Sequence, residues 1–499
     1  MTIETVDVLV VGAGISGIGA GYHLQRYCPG KSYAILEARE DLGGTWDLFR
    51  YPGIRSDSDM HTLGYSFRPW TEAKAIADGP SIKNYLRETA REYGIERHIR
   101  YQHRVKRASW DSQTARWTVE VERGPEAEPV TFSANFLFMC SGYYRYDQGF
   151  TPDFAGIDDF GGQVIHPQHW PEQLDYADKR VVVIGSGATA VTLVPSMAKT
   201  AAHVTMLQRS PTYMVTRPAQ DKVANALRKL LPSRVAYGLT RWKNVLFGMY
   251  FFKKTRTNPK GVNQWVLDRV QKLVPEGYDM AHFTPSYNVW DQRLCLVPDD
   301  DLFEAMKDGK ADVVTGHIDR FTETGIRLKD GRELGADIVV TATGLQLQLL
   351  SGVEYRLDRE RFDPSKTMTY KAMMFEGVPN LATSFGYTNA SWTLKSDLTC
   401  MYVCRLLNHM DRTGTQMATP VLDDPEVQEE PWLSFTSGYV QRALDTLPKQ
   451  GSKRPWKVHQ NYAKDLLDLK FGKVDDGAMR FTKASAVTRR ASPVLEAAE

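Results

Sequence analysis

Cysteine is scarce in this chain, which has five cysteines in 499 residues. They form no CxxC pair and no regular spacing, so the sequence predicts no disulfide framework. Cys400 and Cys404 lie one helical turn apart, but no histidine accompanies them. We interpret this pair as part of a buried helix face and predict no metal site.

The chain also lacks an excess of one charge and an apolar run of membrane length, and we expect no secretory leader. The 62 basic and 60 acidic residues leave a net charge of +2, whereas a dedicated nucleic-acid binder carries a basic excess. The apolar run from Val245 to Phe252 is far too short to cross a bilayer. The first residues, MTIETVDVLVVG, include acids and no basic segment. We therefore expect a cytoplasmic protein that binds no nucleic acid, and its oligomeric state stays open.

What the chain contains instead is one structural pattern that occurs twice. Residues 6–11 are a β-branched apolar run typical of a buried parallel strand, and a glycine turn at Gly12 and a helical pattern over 15–27 follow it. Arg180 to Ile184 and the turn at Gly185 repeat this arrangement. Each copy closes with a hairpin and a return strand. The pattern predicts an α/β protein with two Rossmann-like dinucleotide-binding domains.

The first glycine turn has the spacing of a phosphate-binding fingerprint. Gly12 permits a tight turn, Gly14 lets the backbone approach a pyrophosphate, and Gly17 lets the helix pack closely on the strand. Glu37 lies 20 residues beyond Gly17, where a carboxylate accepts hydrogen bonds from a ribose diol. This acid suits a dinucleotide with free ribose hydroxyls, which is FAD or NAD.

The second turn runs from Gly185 through Ser186, Gly187, Ala188 and Thr189 to Ala190. In place of an acid, its second strand ends in Gln208 and Arg209. A guanidinium binds a 2′-phosphate that a carboxylate would repel, so this copy predicts NADPH. The alternative is that Arg209 is a solvated loop residue. Two dinucleotides in one chain indicate electron transfer between them, most simply a flavoprotein reduced by NADPH.

Residues 214–290 differ in character and form a predicted helical insertion. From Arg217 to Lys260 the chain has eleven basic residues and one acid, interleaved with leucine and aromatic residues. One interpretation is a helical bundle with a solvated basic face. The other is an interfacial patch that contacts a membrane and collects lipophilic substrates from it.

Two longer motifs extend this interpretation. Residues 43–57 read GGTWDLFRYPGIRSD, and residues 160–171 read FGGQVIHPQHWP. They match the patterns GGxWxxxxYPGxxxD and FxGxxxHxxxWP, so the chain resembles the type I Baeyer–Villiger monooxygenases over nearly its whole length. A His166-Pro pair in the linker between domains favours a conformational role for that histidine over a catalytic one.

The resemblance implies an interleaved domain order. It places a first part of an FAD domain at 1–145 and a first part of an NADP domain at 152–213. After the insertion at 214–290, it places the second NADP part at 291–344 and the second FAD part at 345–499.

The resemblance also implies roles for individual residues. FAD would be lined by Ser16, Glu37, Val105 and the stretch Thr45, Trp46, Asp47 and Leu48. NADP would contact Arg55, Ser56, Asp57, the Gly185 turn, Gln208 and Arg209. Arg293 takes the place of the active-site arginine, and Asp57 would hold it. One departure weakens the NADPH prediction, because Gln292 stands where some relatives have a phosphate-binding lysine.

The implied reaction uses FAD, NADPH and O₂ on a small lipophilic ketone or sulfide. O₂ would add to reduced flavin as a C4a-peroxyflavin stabilised by Arg293, and a ketone would become an ester or lactone. Other functions stay open: a heteroatom oxygenase, a disulfide reductase, or a non-catalytic NADPH sensor. A reductase would need a redox cysteine pair near the flavin, and a sensor would have little need for Arg293.

Overall fold

The architecture was taken from a computed structural model that describes residues 3–433 and 435–484. The last stretch of the predicted second FAD part, 485–499, lies outside the described residues. In chain order the α-helices are α1 Ile15–Tyr27, α2 Thr45–Leu48, α3 Met60–Leu63, α4 Gly79–Glu92, α5 Ala188–Met197, α6 Lys222–Leu230, α7 Ser233–Thr257, α8 Pro259–Gln271, α9 Asp301–Lys307, α10 Trp392–Thr413, α11 Gly438–Gln441 and α12 Tyr462–Asp465.

Most strands belong to one of two sheets. In chain order they are β1 Ile3–Val11, β2 Tyr33–Leu36, β3 Ile99–Arg100, β4 His103–Asp111, β5 Arg116–Arg123, β6 Glu128–Met139, β7 Gln163–Ile165, β8 Arg180–Ile184, β9 His203–Gln208, β10 Met214–Arg217, β11 Cys295–Pro298, β12 Ala311–Thr315, β13 Ile318–Thr322, β14 Gly325–Leu328, β15 Glu333–Gly335, β16 Ile338–Thr341, β17 Glu354–Leu357, β18 Glu360–Phe362, β19 Thr369–Tyr370, β20 Met374–Phe375, β21 Leu381–Thr383, β22 Met417–Pro420, β23 Glu429–Pro431, β24 Lys449–Gly451 and β25 Met479–Thr482.

The first sheet has nine strands in the order β18-β17-β4-β5-β6-β1-β2-β3, and β21 also pairs with β6. Strand β1 runs parallel to both β2 and β6, while β4, β5 and β6 form an antiparallel meander. The apolar run predicted as a parallel strand is fully inside, since Val8, Leu9 and Val10 are 0% exposed. Strands flank β1 on both sides, and its two faces are buried in two different apolar cores, with Val8 and Val10 in one and Leu9 and Val11 in the other. This burial on both faces explains why the run does not alternate.

The second sheet has five strands in the order β12-β9-β8-β16-β7, and all of its pairings are parallel. Its strands come from 163–208 and 311–341, so the insertion interrupts this unit in sequence. Together the two sheets confirm the predicted fold class, an α/β protein with two Rossmann-like units and a helical insertion. The domain boundaries themselves stay predictions.

The predicted insertion needs one correction at its start. Met214–Arg217 is a strand rather than a helix, and it pairs in parallel with Cys295–Pro298 just beyond the insertion. These two strands close the base of the insertion, because they join its beginning to the chain that leaves it. The helical part therefore runs from Lys222, through α6, α7 and α8. Within the described residues, no helix has the length and apolar character needed to cross a membrane.

Candidate functional site

Both glycine turns open into one cavity of ≈ 1160 Å³ between the two units. Gly12 and Gly14 line it from the first unit, and Gly185 and Gly187 line it from the second. A site for one drug-sized ligand measures about 300–1,000 Å³. The volume and the two-sided wall therefore suit large ligands held by both units.

Two helix N-termini face this cavity without their usual side-chain caps. Helix α1 begins after Gly14 and helix α5 begins after Gly187; neither glycine supplies a capping group, and neither first turn contains an acid. The first backbone N–H groups of a helix have no partner within the helix. Each N-terminus is therefore prepared to bind an anionic phosphate group.

The two turns are built alike at the atomic level. Gly12 has φ +103° and Gly185 has φ +138°, which is the region that favours glycine. A Cβ on Gly12 would lie 2.6 Å from the carbonyl oxygen of Cys140, and one on Gly185 would lie 2.3 Å from that of Ala342. In both units the turn is pressed against the end of the return strand, which supports the predicted duplication.

Glu37 ends strand β2 as a buried carboxylate on the cavity wall. One of its oxygens accepts a hydrogen bond from the Ala13 N–H at 2.8 Å, and the other accepts one from the Arg39 N–H at 2.9 Å. Burial raises the pKa of Glu37 above its ordinary value, although these two N–H groups act in the opposite direction. The carboxylate is thus fixed beside the first glycine turn.

Arg293 is partly buried and lines the same cavity. Its Nε donates to the Tyr439 hydroxyl at 3.3 Å, and its Nη2 donates to the Tyr143 hydroxyl at 3.3 Å. Burial by itself lowers the pKa of this guanidinium, but the surrounding tyrosines and Asp57 raise it well above its ordinary value. The site therefore holds a permanent positive charge in a pocket of aromatic side chains.

Aromatic packing connects Arg293 to the first glycine helix. The Tyr143 ring stacks on Trp392, with centroids 5.2 Å apart and planes inclined by 10°. The Trp392 indole N–H donates to the Ser16 hydroxyl at 2.8 Å, and Ser384 lies 3.1 Å from that hydroxyl. This chain of contacts joins the arginine from the second unit to helix α1 of the first.

Asp57 does not hold Arg293 as predicted. Both residues line the cavity, but no ion pair within 4.0 Å joins them among the described residues, and Asp57 is exposed. The hydroxyls of Tyr143 and Tyr439 take the positions of hydrogen-bond partners instead. Asp57 acts on Arg293 only at longer range, where its negative charge raises the pKa of the guanidinium.

The amino-acid sequence of the chain matches a known protein family. Residues 6–352 match the flavin-binding monooxygenase-like family. The chain belongs to that family. It is 55% identical to the FAD-containing monooxygenase EthA of Mycobacterium tuberculosis over 97% of this chain and 99% of the relative. It is 50% identical to the probable FAD-binding monooxygenase AlmA of Acinetobacter baylyi, covering 98% and 99% of the two chains.

Solved structures show that the fold of this flavoprotein monooxygenase is shared. An oxidized steroid monooxygenase bound to NADP superposes with a TM-score of 0.76 at 22% identity, covering 96% of this chain and 100% of the other. An open crystal structure of cyclohexanone monooxygenase gives 0.74 at 19% identity with the same coverage. The family match and the two relatives confirm the predicted family of FAD-containing monooxygenases, and the solved structures confirm the shared fold.

Most of the residues predicted from the sequence of this monooxygenase line the cavity. They are Gly12, Gly14, Ser16, Glu37, Thr45, Trp46, Arg55, Ser56, Asp57, Val105, Gly185, Ser186, Gly187, Ala188, Thr189, Arg209 and Arg293. Five others lie outside its wall, namely Gly17, Asp47, Leu48, Ala190 and Gln208. Gly17 packs helix α1 against the first glycine turn, and Ala190 and Leu48 are core residues.

The two polar residues outside the cavity wall, Asp47 and Gln208, are bound to other protein groups. Asp47 is held by Arg39 and Lys83, each at 2.6 Å, and these two cations lower its pKa against the effect of burial. Gln208 donates its side-chain amide to the carbonyl of His282, in the predicted insertion, at 2.6 Å. Both side chains therefore stabilise the protein around the cavity, and neither of them lines it.

Arg55 lines the cavity but is also paired across the two units. Its guanidinium forms a salt bridge with Asp301 at the start of α9. His166 lies away from the cavity, where its ring is packed against Gly149; a Cβ there would lie 1.9 Å from the ring. This packing fits the conformational role predicted for His166.

Sequence reasoning missed three cavity residues that carry polar groups. Tyr143 directly follows the Ser-Gly end of the first return strand, and that position is a signal that could have been used. Tyr439 and Arg442 come from α11 and its end, where no motif marks them. The Arg442 guanidinium lies over the Phe150 ring, 3.5 Å from its centroid. Burial is the main cause that lowers the pKa of Arg442, and repulsion from Arg209 lowers it further.

Proposed function

We propose that this protein is an NADPH-consuming Baeyer–Villiger monooxygenase. It inserts one oxygen atom of O₂ beside the carbonyl carbon of a small lipophilic ketone, giving an ester or lactone. NADPH and a proton reduce the other oxygen atom to water, and NADP⁺ is formed. Sulfides are oxidised at the same site. The observation that carries this proposal is the guanidinium of Arg293, which faces a cavity shared by two phosphate-binding turns.

The first unit fits FAD. Its uncapped α1 N-terminus can receive the pyrophosphate, because Gly12 and Gly14 leave the backbone open at that point. Glu37 lies at the end of β2, where its oxygens can accept ribose hydroxyls alongside the N–H groups that hold it. We assign FAD to the segments 1–145 and 345–499.

The second unit fits NADPH. Helix α5 presents a second uncapped N-terminus, and a Cβ on Gly187 would meet no atom within 4 Å, so space for a pyrophosphate exists there. Arg209 is exposed on the cavity wall and pairs with no acid in the part of the chain that the structure describes. We assign NADPH to the segments 152–213 and 291–344, with Arg209 on its 2′-phosphate.

Arg293 stabilises negative charge in the oxygen transfer. When bound, the reduced flavin supplies the activated oxygen. Negative charge develops on the transferred oxygen and on the attacked carbonyl, and a fixed guanidinium stabilises it without reorganising at the moment of reaction. Tyr143 and Tyr439 orient that guanidinium, and the stacked rings of Tyr143 and Trp392 limit access of water.

Product identification tests the proposed reaction. The FAD-loaded enzyme is incubated with NADPH and a panel of ketones and thioethers, and the products are identified by mass spectrometry. We expect NADPH consumption to rise on addition of ketone and to yield products heavier by one oxygen atom. Oxidation of NADPH without an oxygenated product from any ketone or sulfide would contradict the proposal.

Replacing Arg209 with glutamine (Arg209→Gln) is expected to reduce the preference for NADPH. A charge-assisted hydrogen bond to a phosphate is worth about 1.5–3 kcal/mol, so the ratio of kcat/KM for NADPH over NADH should fall about 10- to 100-fold. The change should appear in KM for NADPH and leave values for NADH nearly unchanged, because NADH lacks the 2′-phosphate.

Two further variants sharpen this measurement. Arg442→Gln removes the second guanidinium on that side of the cavity. We expect the ratio of kcat/KM for NADPH over NADH to fall in this variant too, but by a smaller factor. Gln292 supplies no charge that could replace Arg442. Arg327→Gln is the control, since Arg327 is exposed and paired with Glu333 on the surface. An unchanged coenzyme preference in Arg209→Gln would remove the assignment of the 2′-phosphate to Arg209.

A further inference from the structure

Helix α7 of the insertion carries a line of apolar side chains on its outward, solvent-exposed face. Its outward face carries Val235, Leu239, Trp242, Leu246 and Tyr250, all exposed. These residues recur every three or four positions, so they form one line along the helix. The line continues to Lys253 and is about 27 Å long at 1.5 Å per residue. We call it the outer stripe.

The inward face of α7 contains both apolar and polar residues, and a buried arginine on it fixes the rotation of the helix. The buried Arg241 donates to the carbonyl oxygens of His61 and Gly64 at 2.9 and 2.8 Å, and its guanidinium lies 3.7 Å from Asp397. Turning the outer stripe inward would remove this buried charge from its partners, which is costly. The exposure of the stripe is therefore a stable property of the fold.

The apolar surface extends beyond α7. Phe247 is 65% exposed and stacks near Phe251, and Phe251 in turn lies 6.1 Å from Trp265 on α8. Lys254 lies over the Tyr250 ring at 5.6 Å. Exposed apolar side chains that cluster in this way indicate a binding site. Aromatic rings accompanied by lysine are typical of a membrane–water interface.

The charge of the insertion selects the partner. Of its basic side chains, eight are exposed and have no acidic partner within the part of the chain that the structure describes, namely Lys222, Lys229, Arg234, Lys253, Lys254, Lys260, Arg269 and Lys272. Two copies of this surface would repel each other, whereas an anionic surface would be attracted. The exposed apolar side chains of the stripe suit the acyl chains of a lipid.

We propose that the outer stripe of α7, with its lysines, binds the surface of an anionic lipid bilayer. The helix lies in the plane of the interface, with the apolar side chains among the acyl chains and the lysines at the headgroups. On its inner side, Val245 packs with Tyr387, which lines the cavity. The bound enzyme would thus hold its cavity close to lipophilic molecules in the bilayer. That consequence rests on the proposed function, whereas the lipid binding itself does not.

Vesicle sedimentation of the FAD-loaded full-length chain tests this proposal. We expect the protein to pellet with phosphatidylglycerol–phosphatidylcholine vesicles at low salt, and to stay in solution with phosphatidylcholine alone or at high salt. The double variants L246E/F247E and K253E/K254E should each bind at least about tenfold more weakly. The control K310E/K329E changes two exposed lysines of the second unit and should bind like the wild type.

Three outcomes would overturn the proposal. One is wild-type protein that fails to pellet with anionic vesicles at low salt. Another is a stripe variant that keeps its FAD and its circular dichroism and still pellets like the wild type. The last is sedimentation velocity without lipid showing an oligomer that L246E/F247E abolishes, because the stripe would then bind a second copy. Each readout is independent of oxygenation, so a failure of the proposed function is distinguishable.

Discussion

Replacing Arg293 with alanine is expected to abolish most product formation while leaving flavin reduction by NADPH intact. The guanidinium faces the cavity from between Tyr143 and Tyr439, and it supplies a preorganised positive charge where the reaction develops negative charge. Loss of one such donor lowers the rate about 10²–10³-fold. Stopped-flow absorbance measures flavin reduction, and mass spectrometry measures the ester formed per NADPH consumed.

Three variants separate the role of Arg293 from general damage. Arg180→Ala removes an exposed arginine of the same unit that pairs with Asp337, and we expect both rates to stay unchanged. Tyr143→Phe and Tyr439→Phe each remove one hydroxyl that orients the guanidinium, so product yield should fall by a smaller factor. If Arg293→Ala forms ester at the wild-type rate, the arginine has no part in oxygen transfer.

Replacing Gly17 with alanine is expected to prevent FAD binding and to destabilise the first unit. A Cβ at this position would lie 1.8 Å from the carbonyl oxygen of Gly12, which is backbone and cannot move aside. Helix α1 would have to separate from the turn after β1, at a cost of about 3 kcal/mol or more. The FAD content of the purified protein and its thermal unfolding midpoint measure the two effects.

Gly187→Ala is the matched control for this substitution. Gly187 lies in the equivalent motif of the second unit, has φ −80°, and a Cβ there would meet no atom within 4 Å. We expect FAD content to stay unchanged and stability to change by at most about 1 kcal/mol. Wild-type FAD content and stability in Gly17→Ala would show that the close contact of helix and turn is not required.

Local sequence was sufficient to predict the two Rossmann-like units. The apolar run before Gly12, the glycine spacing and Glu37 all lie within one strand–helix–strand segment, so their geometry follows from short-range rules. The same holds for the turn at Gly185. The structure refined this prediction by placing Gly17 and Ala190 in packing positions and Asp47 in a buried salt-bridge cluster.

The surroundings of Arg293 could not be predicted in the same way. Its partners Tyr143 and Tyr439 lie 150 and 146 residues away in sequence, one in the linker after the first return strand and one in α11. Asp57 was expected as the partner of Arg293 only because the family resemblance implied it, since local sequence cannot bring residues 57 and 293 together. The packing of the two units instead leaves Asp57 exposed and brings hydroxyl groups into reach.

The sequence by itself determined that this chain has two phosphate-binding turns, an acid for one ribose and a basic helical insertion. These features depend on residues that are neighbours along one strand, turn or helix. Only the tertiary structure decided which side chains meet in the shared cavity and which face of α7 points outward. Both results depend on contacts between segments that are far apart in the sequence. One example is the contact of Arg241 with the carbonyl oxygens of His61 and Gly64. A local sequence pattern does not predict such contacts or their energies.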